Sequence, residues 1–339
     1  MKEVLTYDDV LLVPQYSDIR SRSEVRLHTD LGNKLSLDFP VIASPMDTVS
    51  EADTAAVMSS FGGTAVIHRY NSVEEQVAIA ESMITSDGDT VVGAAVGVTG
   101  DFLERAQSLF GVGVDFICVD VAHGHSILMK EALETLRNNL PDDFHIMAGN
   151  VATLEGFNDL ADWGANSVRC NIGGGSICTT RVQTGHGLPG LETILQCAKS
   201  DRNAKIIADG GIKTSGDIVK ALAAGADAVM LGSLLAGTDE APGRVFSTPD
   251  GQLRKEYRGM ASAAAQNAWR GKVSSLEGIS SSVPYKGSLW NVLHNLDKGM
   301  RSGLSYSGCR TIGELQAKAQ WVKQTGASQV ESSAHILRK

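Results

Sequence analysis

The sequence predicts a single (β/α)8 barrel, and three observations carry that prediction. Eight short apolar runs recur along the 339 residues, each of strand length and apolar enough to be buried on both faces. Helical patterns fill the gaps between them. Polar residues or glycines follow nearly every run, as expected where the C-terminal ends of barrel strands carry a site. A doubly wound open sheet is the rival arrangement. It usually wants Gly-x-Gly-x-x-Gly after the first strand, and here SPMDTVS follows the first run.

The eight runs are PVIAS (40–44), TAVIH (64–68), VVGAAVG (91–97), DFICVD (115–120), HIMAGN (145–150), NSVRC (166–170), KIIADG (205–210) and DAVMLGS (227–233). Among the helical patterns, SEADTAAVMSSFGG (50–63) and SVEEQVAIAESM (72–83) place Ser50 and Ser72 as caps with acids in the first turn. In TSGDIVKALAAGAD, Ile218, Val219, Leu222 and Ala223 share one face. Thr214 or Ser215 caps its start and Gly225 ends it. The whole chain reads as one catalytic domain, with an N-terminal extension over 1–35 and a flap or loop region over about 243–300. The stretch from Gly259 to Gly287 is long for a barrel connection, which suits a functional lid or a disordered segment.

Composition narrows the function. Hydrophobic residues make up 42% and charged residues 20%, enough for a sizeable core, and the formal charge is −9. That balance disfavours a nucleic-acid surface but permits a local basic pocket for a phosphate. No run approaches 18 apolar residues, so no membrane span is expected. MKEVLTYDDV has acids where a signal peptide would be apolar, which makes a cytoplasmic location the expectation. The five cysteines form no CxxC pair. Cys118, Cys170 and Cys197 read as buried thiols in a reducing compartment, and Cys309 has no base beside it. His123 and His125 lie on a loop without a clustered carboxylate, which is weak metal spacing.

Cys178 is different, because GGGSICTTR (173–181) sets it behind a loop with almost no side chains. Such a loop exposes backbone groups to a phosphate or small cation, or gives a thiol room to meet a substrate. Thr180 can relay a proton but is no strong base. At the seventh and eighth strand ends, ADGGI (208–212) and LGS (231–233) occupy the corner where barrels often bind phosphate through backbone N–H groups. Asp209 there is placed for a ribose hydroxyl. Glu277, in SSLEGISSSVPYKG, is an acid flanked by Ser and Gly, as surface loops often are.

LTYDDVLLVPQYSDIRSR, SPMDTV, VGAAVGV, GNVAT, GGGSICTTR, IADGGI, VMLGSLLAGT, YRGMAS, VPYKG and LSYSGCRTI occur in this order. Together they resemble the IMP dehydrogenase and GMP reductase family, from about residue 5 to 335. The resemblance implies a TIM barrel assembled as a homotetramer, and a covalent bond between Cys178 and C2 of a purine nucleotide. The family has two activities. The dehydrogenase oxidises IMP with NAD and then hydrolyses the adduct. The reductase expels ammonia from GMP and then takes hydride from NADPH to leave IMP.

Two absences favour the reductase. SMITSDGDTVVGAAVGV leaves no room for the CBS-domain pair most dehydrogenases insert after the second helix. Between Met260 and Glu277 the sequence ASAAAQNAWRGKVSSL has Arg270 but no adjacent Arg-Tyr pair to activate water. The dehydrogenase-like SGCRTI, ESSAH and DVAHGHS pull the other way, so an IMP dehydrogenase without CBS domains is the alternative. A catalytically inactive nucleotide-binding protein is a third reading, opposed by the presence of Cys178, Thr180 and Glu277. Other positions depart from both branches. The usual Lys-Val-Gly-Ile-Gly-Pro-Gly is here Arg169 to Gly175, with Asn171 at a glycine position, and the usual lysine after His68 is Arg69.

Carried over, the resemblance implies Cys178, Thr180 and Glu277 as catalytic residues. Ser44, Met46, Ser176, Asp209, Gly211, Gly232, Ser233, Met260, Ser262 and Gly278 would hold the purine nucleotide. Arg69, Asp120 and Asn150 face NADPH, and Gly173 and Gly175 are the candidates for a monovalent cation such as K+.

Overall fold

The computed structural model describes residues 1–84, 90–274 and 276–332. Its centre is a closed barrel of eight parallel strands. In chain order they are β1 (Val41–Ala43), β2 (Thr64–Ile67), β3 (Val92–Val96), β4 (Phe116–Asp120), β5 (His145–Val151), β6 (Ser167–Cys170), β7 (Lys205–Asp209) and β8 (Ala228–Leu231). Each pairs with its neighbour in sequence, and β8 closes onto β1 through Val229–Val41, Met230–Ile42 and Leu231–Ala43. All eight apolar runs are barrel strands.

Alternation along the strands divides the core into two layers. Ile42, Val66, Ala95, Phe116, Cys118, Met147, Ile207, Ala228 and Met230 fill the barrel interior. Leu31, Leu35 and Leu37, from the hairpin Thr29–Gly32 and Leu35–Leu37, join the same cluster. On β4 the intervening Ile117 and Val119 belong to the layer between strands and helices. Phe116 needs a glycine beside it, because a Cβ at Gly93 would lie 2.3 Å from its ring. At the same level His145 is fully buried and bonded at both nitrogens, Nδ1 to Gly32 O (3.1 Å) and Nε2 to Ser167 Oγ (2.8 Å).

The helix starts follow local chemistry. Ser72 and Thr214 form capping boxes with Glu75 and Asp217. The expected Ser50 cap is corrected. Helix Ala52–Ser60 begins after Glu51 without a side-chain cap, and Ser50 is buried with its hydroxyl unpartnered. Cys118, Cys170, Cys197 and Cys309 are all buried.

Outside the barrel, Val10–Leu12 pairs antiparallel with Trp321–Lys323, joining the two ends of the chain. The region after residue 243 contains a three-stranded antiparallel sheet, Phe246–Ser247, Leu253–Arg258 and Ser280–Pro284, and the helix Ala263–Arg270. The 18-residue helix Leu289–Tyr306 then packs on helix Ser215–Ala223 of the barrel wall. The point where a CBS pair would be inserted falls on 85–89, outside the described residues. Most of the C-terminal ESSAH also lies outside them, from 333 onward. Among the described residues no helix is long and apolar enough to cross a membrane.

Candidate active site

The C-terminal strand ends surround a cleft of about 720 Å³. Its lining includes seventeen of the eighteen residues assigned from sequence, among them Ser44, Met46, Ser176, Gly211, Gly232, Met260 and Gly278. Ser262 is the exception. It is buried, and its hydroxyl accepts the Ala265 N–H as the cap of helix Ala263–Arg270.

Three assigned residues form a hydrogen-bonded chain. Cys178 Sγ donates to Thr180 Oγ1 (3.1 Å), and Thr180 Oγ1 donates to Glu277 Oε2 (2.9 Å). Thr180 is buried and Cys178 half-buried. The backbone brings Glu277 in from the distant flap. Thr179 N donates to Glu277 O (3.0 Å), Ile279 N donates to Ile177 O (3.1 Å), and Cys178 bridges Gly278 in an antiparallel register. The glycine loop and the flap are therefore zipped together at the thiol. A hydroxyl between a thiol and a carboxyl can pass a proton either way.

The floor of the cleft is an ion-pair network centred on Arg169, on β6. Its guanidinium meets Asp120 Oδ1 (2.5 Å) and Asp209 Oδ2 (2.8 Å). Asn150 Nδ2 also donates to Asp209 Oδ2 (2.9 Å). A Cβ at Gly149 would sit 2.5 Å from Arg169 Cβ, so that glycine makes the room. Burial works against the Arg169 charge, and Asp209, Cys118 and Asp120 outweigh it, so its pKa stands well above the ordinary value. Burial pushes the neighbouring Cys118 thiol up to about 12. That thiol is not a nucleophile at neutral pH, in keeping with its place in the core. Asp209 Oδ1 has no protein donor among the described residues, which suits a ligand hydroxyl.

The glycine corner supplies free donors. Among the described residues, the N–H groups of Gly211, Ile212, Gly232, Ser233 and Leu234 have no protein acceptor. Lys286, in the VPYKG stretch, fixes this turn. Its Nζ donates to Ser233 O (2.5 Å), Leu234 O (3.1 Å) and Ala236 O (2.7 Å). Because a trans peptide points its N–H away from its C=O, the Leu234 N–H faces opposite to Lys286. Burial lowers the Lys286 pKa to about 8. Free backbone donors in this position are anion-binding chemistry.

Sequence reasoning did not assign several residues that shape the cleft. Tyr257 is buried, and its hydroxyl receives the Ser176 Oγ–H at 3.4 Å. Arg258 pairs with Asp47 (Nη2 to Oδ2, 2.6 Å), tying the loop after β1 to the flap sheet. Both lie in YRGMAS, where an aromatic–Arg–Gly triplet was the available signal. Asn171 has φ +141°, a conformation natural to glycine, and its buried Oδ1 has no partner. Its Nδ2 reaches Gly210 O (3.2 Å) beneath the glycine loop. Gly175 O accepts the Cys178 N–H (3.1 Å). Among the described residues no group of three His, Cys, Asp or Glu is arranged to hold a metal ion.

Comparison with known proteins was consistent across sequence and structure. The model of the IMP dehydrogenase / GMP reductase domain matches residues 4–335. An inosine-5'-monophosphate dehydrogenase of Nitrosopumilus maritimus (strain SCM1) is 34% identical over 472 aligned positions, covering 98% of this chain and 98% of the relative. A GMP reductase of Leishmania major is 33% identical over 483 positions, covering 100% and 98%. Among solved structures, a cysteine-to-alanine variant of GMP reductase from Trypanosoma brucei, in complex with guanosine 5'-monophosphate, superposes with a TM-score of 0.94. It is 32% identical and covers 99% of this chain and 98% of its own.

Proposed function

Because the chain belongs to the IMP dehydrogenase / GMP reductase family, we propose that it is a GMP reductase, which converts GMP to IMP and ammonia at the expense of NADPH. The observation that carries this reading is the chain from Cys178 through Thr180 to Glu277. It joins a nucleophile to an acid that can protonate a departing amine.

The proposed steps use this hydrogen-bonded chain. Cys178 gives up its thiol proton along Thr180 toward Glu277 and bonds to C2 of the purine. The same hydroxyl returns a proton to the 2-amino nitrogen. The C2–N bond breaks, ammonia leaves, and a thioimidate joins Cys178 to C2. NADPH, when bound, supplies the hydride for C2, after which the C2–S bond breaks and the thiolate regains its proton. The free N–H groups of Gly211, Gly232 and Ser233 hold the nucleotide phosphate, and Asp209 a ribose hydroxyl. Asp120, Asn150 and Arg69 hold the cofactor. The carbonyls of Gly173 and Gly175 are the proposed ligands of a monovalent cation. Gly175 O keeps a second lone pair beside the one taken by Cys178 N–H.

The flap supports the reductase over the dehydrogenase. Arg270 is preceded by Trp269 and followed by Gly271, so the Arg-Tyr pair that serves adduct hydrolysis is absent there. The missing insertion carries less weight. The alignments to the dehydrogenase and to the reductase both run past 470 positions, so relatives of both names carry residues this chain lacks. The similar identities of the two relatives favour an IMP dehydrogenase as the second reading. A cytoplasmic homotetramer completes the proposal.

The test uses GMP with oxidised cofactor, which cannot donate hydride and so stalls the reaction. Acid-quenched and digested protein then carries a purine nucleotide on the peptide containing Cys178, with ammonia in solution. Ammonia released without an adduct, or an adduct on another peptide, overturns the mechanism.

A further inference from the structure

Four side chains at the rim of the cleft take no part in the chemistry above as a group. Arg69 and Tyr70 follow β2, and Trp269 and Arg270 end helix Ala263–Arg270. The Tyr70 and Trp269 rings stack, with centroids 4.2 Å apart and planes 15° from parallel. The Arg270 guanidinium lies over the Trp269 ring, 4.0 Å from its centroid. Arg69 addresses the same two rings from 5.7 Å and 5.9 Å. Burial raises the Tyr70 phenol, and the charges of Arg69 and Arg270 pull against it, so both guanidiniums lie in its field.

The cluster continues the network on the floor. Arg169 pairs with Asp120, and Arg69 Nη2 donates to Asp120 O at 3.2 Å. A line of charge therefore runs from the cleft floor to its rim and ends at Arg270. Arg69, Tyr70 and Arg270 all line the cleft that holds Cys178. Among the described residues Arg270 has no carboxylate within salt-bridge distance, although the chain carries a net charge of −9. It is exposed and pre-set on an indole face, a placement that favours guanidinium over ammonium. Two such groups beside an aromatic platform are suited to a phosphate carried by a nucleotide.

We propose that Arg270 and Arg69 form a clamp for a phosphate of the nicotinamide cofactor, with the Tyr70–Trp269 stack holding the flap helix so that Arg270 faces the cleft. The inference rests on the reading that a nicotinamide dinucleotide enters this cleft, and it assigns Arg270, Trp269 and Tyr70 to that event. The phosphate is either the diphosphate, present in every such cofactor, or the additional 2'-phosphate of NADPH.

The experiment measures binding and turnover separately. Wild type, Arg270→Ala, Arg270→Lys, Trp269→Phe and Trp269→Ala are titrated with NADP+ and NAD+ by calorimetry, which needs no reaction. Steady-state constants follow for whichever nucleotide the wild type turns over. Arg270→Ala is expected to weaken NADP+ binding about tenfold, as for loss of a charge-assisted contact, and to raise the cofactor KM alike. The nucleotide KM and kcat stay within about twofold. Arg270→Lys recovers only part of the loss. Trp269→Phe keeps the stack and binds nearly as wild type, while Trp269→Ala binds like Arg270→Ala. A loss confined to NADP+ identifies the 2'-phosphate, and equal losses for NADP+ and NAD+ identify the diphosphate. Unchanged dinucleotide binding in Arg270→Ala, or a change in the GMP constants alone, overturns the clamp and leaves the reductase reading standing. Failure of either dinucleotide to bind wild type overturns both. If the protein turns over IMP with NAD+, the clamp is scored on NAD+ and only the reductase reading falls.

Discussion

Replacing Thr180 with valine tests the relay without disturbing its surroundings. Thr180 is buried, and valine matches its shape while removing the hydroxyl that receives the Cys178 thiol and donates to Glu277. Two hydrogen bonds are lost, one of them to an acid. Each is worth roughly 1 kcal/mol net, and the added methyl recovers part of that, so the variant loses about 1–2 kcal/mol and melts a few degrees lower. Activity falls much further. A positioned acid–base group contributes about 10²–10⁴-fold, or about 3–5 kcal/mol of barrier. The assay is the loss of NADPH absorbance at saturating GMP, beside a Thr180→Ser control. Serine keeps the hydroxyl and is expected to retain activity within about tenfold. A Thr180→Val enzyme within threefold of wild type would refute the relay, because neither the thiol proton nor the proton for ammonia would then pass through position 180.

Two further outcomes follow from buried groups. Burial holds the His145 imidazole down at about 4, below its ordinary 6.5. The unfolded state therefore binds the extra proton first, so stability is full above pH 6.5 and falls as pH drops toward 4. Between pH 7 and pH 5 this group alone costs about 2 kcal/mol. An NMR titration is expected to find the ring neutral at pH 5.5, and a ring titrating near 6.5 would contradict the burial argument. Asn171→Gly is expected to raise stability by about 1 kcal/mol in urea unfolding. Glycine relieves the φ of +141° and removes the unpartnered Oδ1, together worth about 2–4 kcal/mol. The lost bond to Gly210 O and the greater freedom of the unfolded chain offset most of that gain. A destabilised variant would show that the Asn171 side chain supports the loop more than it strains it.

The barrel was legible because its signal is local and repeated. Each strand is a short apolar run, and each run is bounded by the residues that serve its C-terminal end. Thr180 and Cys178 were legible for a related reason, since two residues of spacing keep them adjacent in any loop. Glu277 lies 97 residues beyond Thr180, and only the family resemblance brought it to Cys178. Arg169 shows the reverse case. Its position on β6 was plain, but its pairing with Asp120 from β4 and Asp209 from β7 depends on barrel closure, which no window of sequence contains. Ser262 shows a further limit, since a motif does not say whether a hydroxyl faces a ligand or, as the structure places it, caps its own helix. The Tyr70–Trp269 stack joins a strand end to a flap nearly two hundred residues later, through nothing that periodicity detects.

The most direct test of the central claim follows absorbance at 340 nm in two cuvettes with potassium present, one holding GMP and NADPH, the other IMP and NAD+. The account predicts loss of absorbance in the first only, abolished by Cys178→Ser. Sustained gain in the second, with the first silent, would contradict it and would mean that some group other than an Arg-Tyr pair activates water in this flap.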